Sequence, residues 1–133
     1  MRGSEMKVLI VDDDPIIRKL LGHYLDSSGY KTLYASNGLE ALEALVRDNV
    51  NLVLTDLNMP YMDGIELVKH MRDDEKLRNI PVLMVTTEDD IKTKELAMKT
   101  GVNGYLIKPV TAEAVTKEAK RLLKEIFIQG GEL

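Results

Sequence analysis

At 133 residues, 44% of them hydrophobic, the chain is long enough for one domain with its own apolar core and short for two. A net charge of −4 argues against nucleic acid as the main ligand; the lack of cysteine excludes disulfides and thiolate metal sites and fits a reducing cytoplasm. No stretch stays apolar long enough to cross a bilayer, and no signal peptide opens the chain.

Residues 1–5, MRGSE, show no periodicity and read as disordered or vector-derived; residues 6–128 read as the domain and 129–133 as a flexible tail. The first predicted strand, Lys7–Val11, runs straight into three aspartates, Asp12, Asp13 and Asp14. Pro15 then opens a helix in which Ile17, Leu20, Leu21 and Tyr24 form an apolar stripe, with Asp14 as its N-cap. A second strand, Lys31–Ala35, is followed by Ser36 and Asn37, then by a helix lined by Leu39, Ala41, Leu42 and Leu45 or Val46. The third strand, Leu52–Thr55, ends on Asp56, and the turn Asp63-Gly64 introduces a helix facing inward through Ile65, Val68 and Met71 or Arg72. The fourth strand, Val82–Thr86, leads to a helix capped by Asp89 or Asp90, running to Lys99 and stopped by Gly101. The fifth, Gly104–Ile107, runs into Lys108-Pro109. Thr111 caps the last helix, which faces inward through Val115, Ala119, Leu122, Leu123 and Ile126.

Val8–Val11, Leu52–Leu54 and Val82–Val85 are continuously apolar, as strands buried on both faces of a parallel sheet must be. Five alternating strand–helix units predict an α/β, doubly wound parallel sheet flanked by five helices. Ligands of such sheets sit beyond the carboxyl ends of the strands. That edge collects Asp12, Asp13 and Asp14, then Asp56, then Thr86 and Thr87, then Lys108, while the end of the second strand offers nothing comparable.

Clustered carboxylates cannot all remain ionised without a counter-charge. A hard divalent cation supplies one, and Mg2+ prefers oxygen ligands. His23 and His70 lie away from the strand ends, which disfavours zinc; they read as ordinary helix residues, and Met59, Met62, Met71 and Met84 as packing. A cation, the Lys108 ammonium and the Thr86 hydroxyl around one carboxylate make a receptor for a transferred phosphoryl group, with Asp56 as nucleophile. Taken singly, Asp14 is a cap, Lys108 a surface lysine and Thr86 a strand-end residue; their joint placement at the strand ends carries the reading.

VLIVDDDP, LVLTDLNMPYMDGIEL, PVLMVTTE and GYLIKPV, in this order from about Lys7 to Phe127, resemble the receiver domain of two-component response regulators. The resemblance implies a flavodoxin-like sheet order 2-1-3-4-5, an order that belongs to the chemotaxis member of that family and is not drawn from periodicity here. It implies that Asp56 accepts phosphate from a sensor histidine kinase or phosphotransfer protein. Asp13 would bind Mg2+ directly and Asp12 through water; Asn58 would add its backbone carbonyl, and Mn2+ would substitute. Lys108 would bind a phosphate oxygen, followed by a cis bond to Pro109. Thr86 and Tyr105 would act as the switch, and Asn58 and Glu88 would tune phosphate lifetime. The face of the fourth helix, fifth strand and fifth helix would contact a downstream protein, as a monomer or a phosphorylation-dependent dimer. Lys94 and Glu118 bring both signs of charge to that face, so a particular target is not carried over.

Three alternatives remain open at this stage. One is a receiver cut from a longer transcriptional or enzymatic regulator. Another is a Mg2+-dependent phosphohydrolase with an aspartate nucleophile, disfavoured because Leu57 and Asn58 leave no acid two residues after Asp56. The third is a phosphate-independent interaction module.

Overall fold

The structure is a computed structural model and describes residues 6–130, with side chains as far as Lys124. The readings of residues 1–5, of the Ile126 side chain and of 131–133 in the predicted 129–133 tail fall outside the described residues, while Gln129 and Gly130 of that tail belong to the last helix. The elements run β1 (Lys7–Val11), α1 (Pro15–Asp26), β2 (Lys31–Ala35), α2 (Gly38–Arg47), β3 (Leu52–Thr55), α3 (Gly64–Asp73), β4 (Val82–Thr86), α4 (Ile91–Thr100), β5 (Gly104–Ile107) and α5 (Ala112–Gly130). All strands pair in parallel in the order β2-β1-β3-β4-β5. The expected fold class and strand order are both found.

Alternation along each strand divides the interior into two cores. Leu9, Val11, Val53, Val82 and Met84 point to one face, where α2, α3 and α4 cover them. Val8, Ile10, Leu52, Leu54, Leu83 and Val85 point to the other, under α1 and α5 through Leu21, Leu25, Val115, Ala119, Leu122 and Leu123. Both faces are apolar, and after Lys7 at the start of β1 the central strands carry no polar side chain until their carboxyl ends. Burial of each such side chain contributes about 1.5–3 kcal/mol.

The helix caps follow the local sequence. Asp14 accepts from the Ile16 amide, Asn37 from Glu40, Asp90 from Thr93, and the Thr111 hydroxyl from Ala114. Asp63 and Glu66 form a reciprocal capping box at α3. Helix rotation departs from the sequence stripe in two places. In α1, Leu25 is buried and Leu20 is exposed. In α2, Ala41, Ala44 and Leu45 face inward, while Leu39 and Val46 face solvent. Alanines let that helix approach the sheet closely, and the larger residues are turned outward.

Register places the functional edge. Val11 lies opposite Thr55, so the next residues, Asp12 and Asp56, emerge side by side at the point where the strand order reverses. Their backbones are held there by Asp12 N–H to Ala35 O at 3.1 Å and Asp56 N–H to Val11 O at 2.9 Å.

Candidate functional site

Asp12, at the end of β1, is 1% exposed, an unusual position for a carboxylate. Both its oxygens are used: Oδ1 accepts from the Asp14 amide at 2.9 Å, and Oδ2 accepts from Lys108 Nζ at 2.8 Å. Burial pushes its carboxyl above the usual range, and the hydrogen bonds from Lys108 and Asp14 only partly offset this. Asp56 sits beside it. Its Oδ1 accepts from the Leu57 amide at 2.6 Å and its Oδ2 from Lys108 Nζ at 3.0 Å. One ammonium, 13% exposed, thus serves two carboxylates from different strands. Burial works to lower the Lys108 pKa, but its hydrogen bonds to Asp12 and Asp56, with their charges, outweigh that and hold it raised.

Asp13 is exposed, and oxygens of Asp12, Asp13 and Asp56 come within 4.8 Å of one another. Three carboxylates face one ammonium. The surplus negative charge and the all-oxygen donor set fit a hard divalent cation. Each Asp12 oxygen already accepts one hydrogen bond, from Lys108 or from a backbone amide, which leaves the solvent-facing Asp13 with the freer oxygens. Asp14 is turned into α1 as its cap, so the three adjacent aspartates occupy three different environments. Asp13→Ala is therefore expected to weaken Mg2+ binding by an order of magnitude or more with little change in stability, since one or two carboxylates carry most of such a site. Asp14→Ala should leave the affinity in place and cost about 1 kcal/mol of stability. Calorimetric Mg2+ titration beside thermal unfolding separates the two, and the reverse outcome would move the metal pair by one residue.

Thr86 closes β4 with its side chain fully buried; its hydroxyl oxygen accepts from the Glu88 amide at 3.3 Å. Glu88 is a hub. Its carboxylate accepts from Asn58 Nδ2 at 2.8 Å, joining the β3 and β4 loops, and its carbonyl accepts from the Tyr105 hydroxyl at 2.7 Å. Burial first, then Asp90, Glu88, Asp56 and Asp89, raise the Tyr105 phenol pKa, so it remains a donor. Lys94 of α4 lies 6.0 Å above the Tyr105 ring, and Glu118 of α5 is paired with Arg121 at 2.8 Å, which lowers the Glu118 pKa. Lys108-Pro109 is cis.

Asp12, Asp13, Asp56 and Lys108 are thus brought to one locality, and hydrogen bonds through Glu88 join Thr86, Asn58 and Tyr105. Thr87 is exposed and takes no part in this network, and Lys94 and Glu118 lie on the adjoining α4–β5–α5 face. His23 and His70 are exposed on their helices, and Met71 and Met84 are fully buried packing. Two contributors were not anticipated. Arg18 donates from Nη1 to the Asp12 carbonyl at 2.7 Å and ties α1 to the acidic turn. A cation in the first turn of α1, four residues past Asp14, was the available signal. Gly64 is the other. A methyl group there would overlap the Asp56 carbonyl oxygen and meet Leu57 Cα at 3.1 Å, so the Asp-Gly pair reflects steric need as well as turn chemistry.

Residues 8–120 match the family model of the response regulator receiver domain. The chain is 39% identical over 125 residues to chemotaxis protein CheY-3 of Vibrio cholerae, covering 93% of this chain and 96% of that protein. It is 38% identical to chemotaxis protein CheY of Pseudomonas aeruginosa, over 91% of this chain and 98% of that one. Among solved structures, CheY4 of Vibrio cholerae superimposes with a TM-score of 0.84 at 36% identity, covering 88% of this chain and 98% of that one. The receiver domain of Francisella response regulator 1452 gives 0.85 at 31% identity, covering 92% and 99%.

Proposed function

We propose, from the premise that this chain belongs to the response regulator receiver family, that Asp56 is the phosphoacceptor of a two-component signalling switch. The observation that carries the assignment is the ammonium of Lys108, which bridges Asp12 and Asp56 at 2.8 and 3.0 Å within a cluster of three carboxylates. Asp56 is the member of that cluster best placed to react. Asp12 is buried with each oxygen already accepting a hydrogen bond, and Asp13 is the most exposed of the three toward a cation. The Leu57 amide and Lys108 hold the two Asp56 oxygens in a set orientation.

Asp12, Asp13 and Asp56, with the Asn58 carbonyl, would hold Mg2+ or Mn2+, which when bound supplies charge neutralisation for a phosphoryl group. In the transfer, an Asp56 oxygen forms a P–O bond as the P–N bond of a phosphohistidine breaks, or the P–O bond of a small acyl phosphate. Lys108 remains charged and exchanges carboxylate contacts for a phosphoryl oxygen. Thr86 gains an acceptor for its hydroxyl proton and moves away from the Glu88 amide. Because Glu88 also holds Asn58 and Tyr105, a shift of that loop reaches β5 and the α4–β5–α5 face, where a downstream protein would read it. The phosphoryl group offers Lys108 and Thr86 contacts in one state only, so it biases a two-state equilibrium by that difference. The hydrogen bond from Asn58 to Glu88 ties the loop that follows Asp56 to the loop that follows Thr86, which fits a role in phosphate lifetime.

The donors would be a sensor histidine kinase or phosphotransfer protein. The protein is a signalling domain rather than an enzyme with a turned-over substrate; catalysis of its own phosphorylation and dephosphorylation is part of this proposal. No helix among the described residues is long and apolar enough to cross a membrane. The domain would occupy residues 6–128. Incubation with acetyl phosphate and Mg2+ is expected to add one phosphoryl group per chain, released slowly, with no sustained hydrolysis of p-nitrophenyl phosphate. Many turnovers of that ester would instead favour the phosphohydrolase.

A further inference from the structure

At the amino-terminal edge of β3 and β4, away from Asp56, an open cleft of about 800 Å³ lies between the end of α2 and the turn after α3. Its apolar lining is Leu45, Val50, Leu77 and Ile80, with Val46 standing 84% exposed beside them. Four carboxylates also line it, Asp48, Asp73, Asp74 and Glu75, against one cation, Lys76. Two helices end here. Asp48 is the C-cap of α2 and Asp74 the C-cap of α3, with Asp73 the last residue of α3. A helix C-terminus carries partial negative charge, so acids at that end are destabilising where cations would stabilise.

The chain answers only part of this charge. Asp48 has Lys7 at 3.9 Å and Arg47 at 3.4 Å, and Asp74 accepts from the Lys76 amide at 2.8 Å. Asp73 and Glu75 are exposed and have no ion-pair partner among the described residues. The nearby Arg72 does not help. Its Nε, Nη1 and Nη2 donate to the carbonyls of Gly101, Arg78 and Ile80 and to the Asn103 side chain. The result is a partly apolar cleft whose rim carries a surplus of negative charge, centred on Asp73 and Glu75, on the edge of the sheet that phosphorylation does not use.

We propose that this cleft docks a basic amphipathic segment of a partner protein. Its apolar side chains would cover the exposed Val46 and the half-buried Ile80 at the mouth of the cleft, and its Lys or Arg side chains would meet Asp73 and Glu75 and the two helix ends. The occupant is cationic because the rim is anionic, and peptidic because alternating apolar and charged groups must be matched over the length of a helix turn or more. Such a contact tethers the protein without consuming the α4–β5–α5 face. It stands independently of the phosphoacceptor assignment.

The test is titration of the 15N-labelled full chain, in excess Mg2+ to mask the Asp56 edge, with a short amphipathic Lys/Leu peptide and its Glu/Leu counterpart. The Lys/Leu peptide should shift the amides of Val46, Asn49, Lys76, Leu77 and Ile80, and should bind more weakly as salt rises. Asp73→Asn with Glu75→Gln, both surface changes, should weaken it roughly tenfold while acetyl phosphate labelling is unchanged. The Glu/Leu peptide should not bind. No binding, shifts centred on α4 or on the Asp12 and Asp56 edge, or equal affinity in the double variant would overturn the proposal. None of these outcomes bears on labelling of Asp56.

Discussion

Asp56→Asn is expected to reduce Mg2+-dependent labelling by acetyl phosphate to background while leaving a folded protein. The substitution is isosteric. An amide oxygen at 56 can still accept from the Leu57 amide, whose bond to Asp56 is 2.6 Å, and Lys108 keeps Asp12 at 2.8 Å. The nucleophilic carboxylate is lost, and so is one of the three negative charges that make up the cation site. Thermal stability without Mg2+ should hold or rise, because removing one of three clustered carboxylates relieves repulsion. Intact-mass measurement of phosphoryl incorporation checks the first part and thermal unfolding the second. Undiminished labelling of a folded Asp56→Asn protein would sink the assignment.

Lys108→Met should produce the largest loss of stability at the site. It retains the stem and removes the ammonium, so Asp12, 1% exposed, and Asp56 keep their charges without the cation between them. Breaking a buried pair from one side leaves an uncompensated charge, and about 3 kcal/mol is expected, or roughly 10 °C in a domain of this size. Added Mg2+ should return part of that loss by replacing the missing positive charge. The pH dependence has a definite sign. The folded-state pKa of Lys108 lies above its ordinary value of 10.5, so its contribution is complete below that value and fades as pH rises through the folded one. Wild type should therefore lose stability on the alkaline side more steeply than Lys108→Met, and the two curves should converge there. Equal melting temperatures at neutral pH without Mg2+ would mean that Lys108 is not the counter-charge of this cluster. Labelling by acetyl phosphate should also slow, because the phosphoryl group loses a fixed cation.

The fold and most of the site were legible in the order of residues because they rest on local patterns. Apolar runs bounded by helix caps located all five strands. The carboxyl edge followed from parallel topology, since every strand must end on the same side of the sheet. Asp12, Asp56, Thr86 and Lys108 could therefore be grouped before any distance was known. Asp14 could be set apart as a cap because Pro15 marks the first helical turn.

Other features were illegible for a common reason: they depend on contacts between residues far apart in the chain. Leu20 and Leu25 of α1 are both plausible inward residues by periodicity, and only docking against the sheet and α5 selected Leu25. Arg18 looks like any surface cation until the end of β1 presents it a carbonyl. Gly64 reads as turn punctuation until β3 brings Asp56 against it. The cleft beside Val46 has no motif, because it is the space left between two helix ends. By itself, the sequence determined a doubly wound parallel sheet with acids, a hydroxyl and an ammonium at one edge, since strand ends and caps are written in neighbouring residues. Only the tertiary structure decided the environments of the two aspartates ahead of the Asp14 cap, Asp12 and Asp13. Lys108, 96 residues away from Asp12, bridges it to Asp56 and leaves Asp13 open to a cation.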